Sequence, residues 1–293
     1  MAAVKKLREM LADREKIIVG PGVYDGLTAR MAIQAGFDAL YMTGAGTSMS
    51  KLGMADLGLA TMTEMADQAG MIASLDWRVP LIADADTGYG GALSVGRTVA
   101  RYMAGGVAAM HLEDQVVNKR CGHLAGKQVV SREEYKSRIR AAVNMRAQLE
   151  GDIVLIARTD ALQPLGLDEA LLRLQDAVEL GVDVVFLEAI ETREQIETYC
   201  RVFRDKGVPI MYGMVQGTNA VKITVAEAQQ MGIKILVYAA LCLIPTYLAV
   251  TQALRHLKQE GDCEQYGPGI SPPLVFGVCG MNELLEFDRQ AGE

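Results

Sequence analysis

Val107-Ala-Ala-Met-His-Leu-Glu-Asp114 is an unbroken apolar run that stops on two acids. A run with no polar alternation marks a strand buried on both faces, as in a parallel sheet. Seven more runs of this kind recur at 17–20, 39–42, 81–83, 153–157, 184–187, 208–211 and 233–238, which makes eight. Helical patterns lie between them. One spans 25–35 and ends at Gly36. Another opens on Ser131-Arg-Glu-Glu134, which resembles a capping box, and runs to about Leu149; a third begins at Leu167 and stops at Gly181. Eight strand-helix alternations predict an α/β fold of the (β/α)₈ type. An open doubly wound sheet is the alternative, but no G-x-G-x-x-G follows the first strand. The expected organisation is a barrel over 1–250 and a C-terminal helical extension over 251–293. In the extension, 264–273 is rich in Gly and Pro and 281–289 is helical in pattern.

The chain has 293 residues, half of them hydrophobic, and a formal net charge of −7. No Lys/Arg-rich run points to nucleic acid, and no apolar stretch is long enough to span a bilayer. The five cysteines are scattered without metal-ligand spacing, and a disulfide framework is not expected in so large a chain. The N-terminal stretch reads as a short charged helix rather than a signal peptide. The expectation is a cytoplasmic protein, with an organelle matrix as the alternative.

In such a barrel the chemistry lies at the C-terminal ends of the strands. Six successive ends carry charged, hydroxyl or glycine residues: Gly20-Pro-Gly-Val-Tyr-Asp25, Tyr41-Met-Thr-Gly-Ala-Gly46, Asp84-Ala-Asp86, Glu113-Asp114, Arg158-Thr-Asp160 and Glu188. On an extended chain Asp84 and Asp86 point to the same side. With Glu113 they form a hard oxygen cluster suited to Mg²⁺ or Mn²⁺; a solvated acidic loop or helix caps would explain the same residues. Glycines and hydroxyls at 43–46 can cradle a carboxylate or phosphate, though such turns are also common punctuation. Arg158 suits bidentate anion binding, or a salt bridge to Glu188 or Asp160. Tyr41 reads equally as an acid-base group or a packed aromatic, and His111 as a core histidine. After the fourth strand, Lys119-Arg-Cys-Gly-His123 places Cys121 beside two cations, where a thiolate is held more easily. This reads as a lid carrying an acid-base group, or as a surface loop with an incidental thiol.

Taken in order, Tyr41-Met-Thr-Gly-Ala-Gly46, Asp84-Ala-Asp-Thr-Gly-Tyr-Gly90, Glu113-Asp-Gln115, Lys119-Arg-Cys-Gly-His123 and Ala157-Arg-Thr-Asp160 resemble the motifs of the isocitrate lyase / phosphoenolpyruvate mutase superfamily. The likeness covers roughly 19–250, and the cysteine loop is similar to that of its carbon–carbon lyases. The resemblance implies Mg²⁺ on Asp86, with Asp84 and Glu113 acting through water. It implies carboxylate binding at Thr43, Gly44 and Ala45, and a substrate shell that includes Asp56, Gly122, Arg158 and Gly213. Arg158 and Tyr41 would steer or take the hydroxyl proton of a 2-hydroxy acid. Cys121 would protonate the carbanion-like product, with His123 and Glu188 nearby. The implied reaction is a retro-aldol cleavage to pyruvate or glyoxylate plus a second carboxylic acid. The implied assembly is a homotetramer that exchanges C-terminal helices.

Three departures bear on the substrate. Gly213 stands where these lyases carry an asparagine for the far carboxylate, Gln216 replaces a glutamate, and Met281 precedes Asn282-Glu-Leu where methylisocitrate lyases carry arginine. A buried carboxylate without partners costs several kcal/mol, so the expected substrate has a smaller or less charged distal end. Ala239 aligns with a serine of the oxaloacetate hydrolases and argues against hydrolysis. A hydrolase or phosphonomutase on this scaffold, or a binding protein that has lost catalysis, are the alternatives.

Overall fold

A computed structural model describes residues 2–292. Eight strands close into a barrel in sequence order: β1 (Ile18–Val23), β2 (Leu40–Met42), β3 (Leu81–Asp84), β4 (Ala109–Glu113), β5 (Val154–Thr159), β6 (Val184–Leu187), β7 (Ile210–Met214) and β8 (Ile235–Tyr238). Every pairing is parallel, and β8 returns to β1. All eight expected strands are present, shifted by a few residues: β4 starts two residues late, and β1 and β7 run three residues further.

The apolar runs divide into two layers. Ile18, Tyr41, Ile82, Ile156, Phe186 and Val237 belong to an inner cluster, which the N-terminal helix Ala2–Ala12 closes from below with Val4, Leu7 and Met10. Alternate strand residues such as Met42, Leu155 and Val185 face the surrounding helices and make the larger cluster. Filling the lower barrel leaves its upper mouth for chemistry.

The helices are set by their caps. Asp25, Thr61, Thr192 and Thr224 each make a complete capping box, reciprocated by Thr28, Glu64, Gln195 and Glu227. The expected box at Ser131 is only half formed. Its hydroxyl accepts from the Glu134 amide, but the Glu134 carboxylate turns to Arg138 instead. An ion pair one turn along the helix has taken the place of the return bond.

A continuous helix, Leu243–Glu260, passes through position 250, and the expected terminal helix forms as Met281–Ala291 after Pro272–Val278. These three helices bury no side chain, and Tyr247, Leu254, Phe276, Leu284 and Phe287 are exposed. Among the described residues no helix is long and apolar enough to cross a membrane.

Candidate active site

Parallel register gathers the strand-end residues. Asp84 lies level with His111, Glu113 with Arg158, and Arg158 with Phe186. Asp84, Asp86, Glu113, Arg158 and Glu188 are all buried. A buried charge without a partner is costly, so the pairing of each is decisive.

Asp84 ends β3. Its Oδ1 accepts from the Asp86 amide (2.9 Å) and its Oδ2 from the Gly44 amide (3.2 Å). Gly44 is required by this approach, since a Cβ there would stand 2.4 Å from Asp84 Oδ2. Asp86 is not on an extended chain as expected. The strand has ended and Asp86 has φ +45°, so a turn rather than alternation brings the two acids together. Burial pushes the Asp86 carboxyl up to about 6 despite Lys119, whose Nζ lies 2.6 Å from Oδ1. Glu113 is raised well above the carboxylate range by burial, which Arg158 offsets only in part. Burial also disfavours charge on Asp84, but His111, Lys119 and Arg158 hold it below its ordinary value.

Arg158 is the central cation. Its Nε lies 2.9 Å from Asp160, 3.2 Å from Glu113 and 3.5 Å from Glu188. Burial works against its charge, but these three acids hold it. The salt bridges weighed from sequence, to Asp160 and to Glu188, both exist. Glu188 also meets His123 Nε2 at 2.9 Å. Burial opposes its ionisation, but Arg158 and His123 keep Glu188 well below the usual carboxylate range. On the other side of the mouth the Tyr41 hydroxyl lies 3.0 Å from His111 Nε2, and His111 Nδ1 lies 3.5 Å from Asp84. Burial keeps Tyr41 a phenol and pulls His111 below its ordinary value, against the attraction of Asp84.

The loop after β4 is docked over the mouth. Its Cys121 amide donates to the Asp56 carbonyl (3.2 Å), and Lys119 Nζ lies 2.5 Å from the Asp56 carboxylate. Lys127 Nζ donates to the Gly122 carbonyl (2.5 Å) and pairs with Asp160 (2.9 Å). Gln115 ties the loop's base to the acids, donating to Glu113 (2.9 Å) and to the Arg120 carbonyl (2.8 Å). Only glycine fits at 122, where a Cβ would be 2.4 Å from an Arg158 nitrogen. The expected easing of the thiolate is reversed. Burial raises the Cys121 thiol above its ordinary value, and Lys119 and Arg158 oppose it without prevailing. Such a thiol is suited to giving a proton rather than taking one.

These groups enclose a cavity of about 180 Å³. One wall is polar, with Thr43, Asp56, Asp84, Cys121, Arg158 and Glu188; the other is apolar, with Phe186, Val215, Val237, Ala239 and Leu243. Gly213, Ala45, Gly122 and His123 also line it. Gly44 does not; its amide is committed to Asp84. Gln216 and Met281 are not among the lining residues either. Phe186 fills the space at Gly213, where a Cβ would meet its ring at 3.1 Å.

The acids suit a hard divalent ion. Asp86 Oδ1 and Glu113 Oε2 are buried without a hydrogen bond, their ion pairs to Lys119 and Arg158 being poorly aligned for one. Among the described residues no three His, Cys, Asp or Glu side chains converge as a ready-made ligand set. That is compatible with an ion held directly by one carboxylate and by others through water.

Sequence reasoning missed Lys127 and Gln115, and placed His111 in the core without its two polar neighbours. Asp56 entered only through the resemblance, and Phe186 only as part of a strand. A lysine five residues past a glycine, or an apolar strand residue, carries no local signal of such a role.

A barrel with this ring of acids, central arginine and cysteine lid defines the class. Residues 7–258 match the family model described as phosphoenolpyruvate phosphomutase. The chain belongs to the phosphoenolpyruvate mutase / isocitrate lyase superfamily, whose members are metal-dependent and include carbon–carbon lyases. It is 40% identical to a 2,3-dimethylmalate lyase from Eubacterium barkeri over 89% of this chain and 88% of that one. A solved 2,3-dimethylmalate lyase superposes with a TM-score of 0.93 at 46% identity, covering 100% of this chain and 96% of the other. An oxaloacetate acetylhydrolase bound to 3,3-difluorooxaloacetate gives 0.96 at 47% identity, covering 99% and 97%.

Proposed function

We propose that this chain is a Mg²⁺-dependent carbon–carbon lyase that cleaves a malate-like 2-hydroxy acid by a retro-aldol reaction. The products are pyruvate or glyoxylate and a second carboxylic acid. The observation that carries the reading is that lid-borne Cys121 lines one cavity together with Asp84, Arg158 and Glu188.

The substrate's α-hydroxy carboxylate lies against Thr43 and Ala45, with Arg158 fixing its orientation. Asp86 would hold the Mg²⁺, with Asp84 and Glu113 as the neighbouring acids; Mn²⁺ would suit the same oxygen donors. When bound, the ion would stabilise the negative charge on the substrate's 2-hydroxyl oxygen as its proton leaves. Arg158 is held as a cation, so it steers the hydroxyl rather than taking its proton. The proton passes to the Tyr41 oxygen as the phenol proton moves to His111 Nε2, and the carbon–carbon bond breaks. Cys121 gives its proton to the carbanion-like carbon of the departing acid, and Glu188 and His123 hold the lid's glycine turn in place. Docking of the lid on Asp56 excludes water from that carbon.

The apolar wall selects the distal end. Phe186, Val215, Val237 and Leu243 offer no partner to a second distal carboxylate, whereas methyl substituents gain from burial there. This favours a dimethylmalate-like acid over a tricarboxylate. Ala239 presents only a methyl where the hydrolases carry a serine, which favours lyase over hydrolase.

The exposed apolar faces of the three C-terminal helices support a homotetramer with exchanged helices, 264–273 serving as connector. A face of that kind needs a protein partner.

Pyruvate and glyoxylate release from 2-hydroxy acids, with and without EDTA and with Cys121→Ser, tests the reading. Release that needs both the metal and the thiol supports it. Release unaffected by either contradicts it.

A further inference from the structure

Lys127 is a buried lysine that the proposed reaction does not use. It stands at the root of the loop after β4, where backbone pairing holds the two strands of the loop together. The Val116 amide donates to the Gln128 carbonyl (3.0 Å), and the Val130 amide to the Asp114 carbonyl (2.9 Å). The tip beyond the root is bonded to itself: the Leu124 amide donates to the Cys121 carbonyl (2.8 Å), and Arg120 Nη1 to the Ala125 carbonyl (2.9 Å). Root and tip are two units, and Lys127 joins them through the Gly122 carbonyl (2.5 Å).

The other partner of Lys127 is Asp160, just past β5, at 2.9 Å. The same Asp160 oxygen accepts from Arg158 Nη2 (3.2 Å), and Gly122 sits over that guanidinium, which a Cβ would meet at 2.4 Å. The tip has further anchors in Asp56, which meets Lys119, and Glu188, which meets His123, but both of these acids line the substrate cavity. Neither Lys127 nor Asp160 lines it, so substrate does not compete for their bond.

We infer that Lys127 is a positioning residue for Cys121: anchored on Asp160, its ammonium holds the Gly122 carbonyl and fixes the closed lid with the thiol over the cavity. The inference rests on the reading of Cys121 as the proton donor. The Asp160 pair belongs to the root and is constant, whereas the Gly122 bond is made only on closure. A charge-assisted bond made in one state alone shifts the balance toward that state. Cys121 is bracketed by it, with its own amide set by Asp56 and the next carbonyl set by Lys127.

Lys127→Met keeps most of the side chain's length and removes the ammonium. Its kcat should fall about 10²-fold with KM little changed, because the contacts that bind the substrate remain while the proton donor is misplaced. Alkylation of Cys121 by iodoacetamide in the substrate-free protein, resolved by peptide mass, should be about tenfold faster, as loss of one charge-assisted hydrogen bond to the closed state implies. Removal of a neighbouring cation would by itself disfavour the thiolate and slow this reaction, so acceleration reports release of the loop. Lys127→Gln, which keeps an uncharged donor, should show the same signs at smaller size and serves if Lys127→Met does not fold. Wild-type kcat, or wild-type labelling of Cys121, in a folded Lys127 variant overturns the inference. Wild-type turnover in Cys121→Ser overturns the proton-donor reading and the role of Lys127 with it; the labelling rate tests the anchoring separately.

Discussion

The two walls of the substrate cavity are built by different means. The polar wall draws on β2 to β6 and the lid, and an ion-pair network holds it: Arg158 meets three acids, Lys119 behind the wall meets two, and Glu188 meets Arg158 and His123. The apolar wall is the upper end of the barrel's own core, with Phe186 and Val237 continuous with the inner cluster. Substitutions in the first wall should therefore act on chemistry, since a broken network leaves buried charges in the wrong state. Substitutions in the second should act on substrate choice and stability, as core substitutions do.

The largest effect is expected for Asp86→Asn. Losing the metal carboxylate should lower kcat by about three orders of magnitude, since a metal supplies several kcal/mol to the transition state. Mn²⁺ binding by titration calorimetry should weaken in parallel, and intact binding with lost turnover would break the assignment. Next, Cys121→Ser should lower kcat about 10²- to 10⁴-fold with KM little changed, as for loss of a general acid. The thiol must be protonated to act, so on the alkaline side wild-type activity should fall as pH rises through its raised pKa, above the ordinary 9.0. That alkaline limb should vanish in the serine variant, and a limb that persists there belongs to another group.

On the apolar wall, Phe186→Ala empties a buried ring site and should cost about 3 kcal/mol of stability. It should raise KM more for a methylated substrate than for malate, which sharpens the contrast between the walls. The smallest effect is expected for Gly213→Asn. The new side chain crowds the Phe186 ring and should cost about 1–3 kcal/mol in thermal unfolding. By restoring an amide to the apolar wall it should improve the relative kcat/KM for acids with a second distal carboxylate. No change in that ratio would mean Gly213 does not set selectivity.

The fold was legible because fully buried parallel strands need continuous apolar runs, and 107–112 and 153–157 are such runs. Site residues at strand ends, such as Glu113 and Arg158, were legible for the same reason: the strand positions them. Asp86 was read correctly for proximity to Asp84 but for the wrong reason, because a left-handed turn leaves no trace in hydrophobic alternation. Cys121 was located, but its proton affinity was read with the wrong sign. Neighbouring cations are visible in a sequence, and burial under a docked lid is not. Lys127 and Phe186 were silent because their partners, Asp160 and Gly213, are distant in the chain.

The most direct measurement is pyruvate release from a 2,3-dimethylmalate-like acid beside methylisocitrate, with Mg²⁺, in a coupled dehydrogenase assay. Chelator-sensitive release with a higher kcat/KM for the methylated dicarboxylate is the predicted result. A higher kcat/KM for methylisocitrate would contradict the account, because the wall at Phe186 and Gly213 offers its third carboxylate no partner.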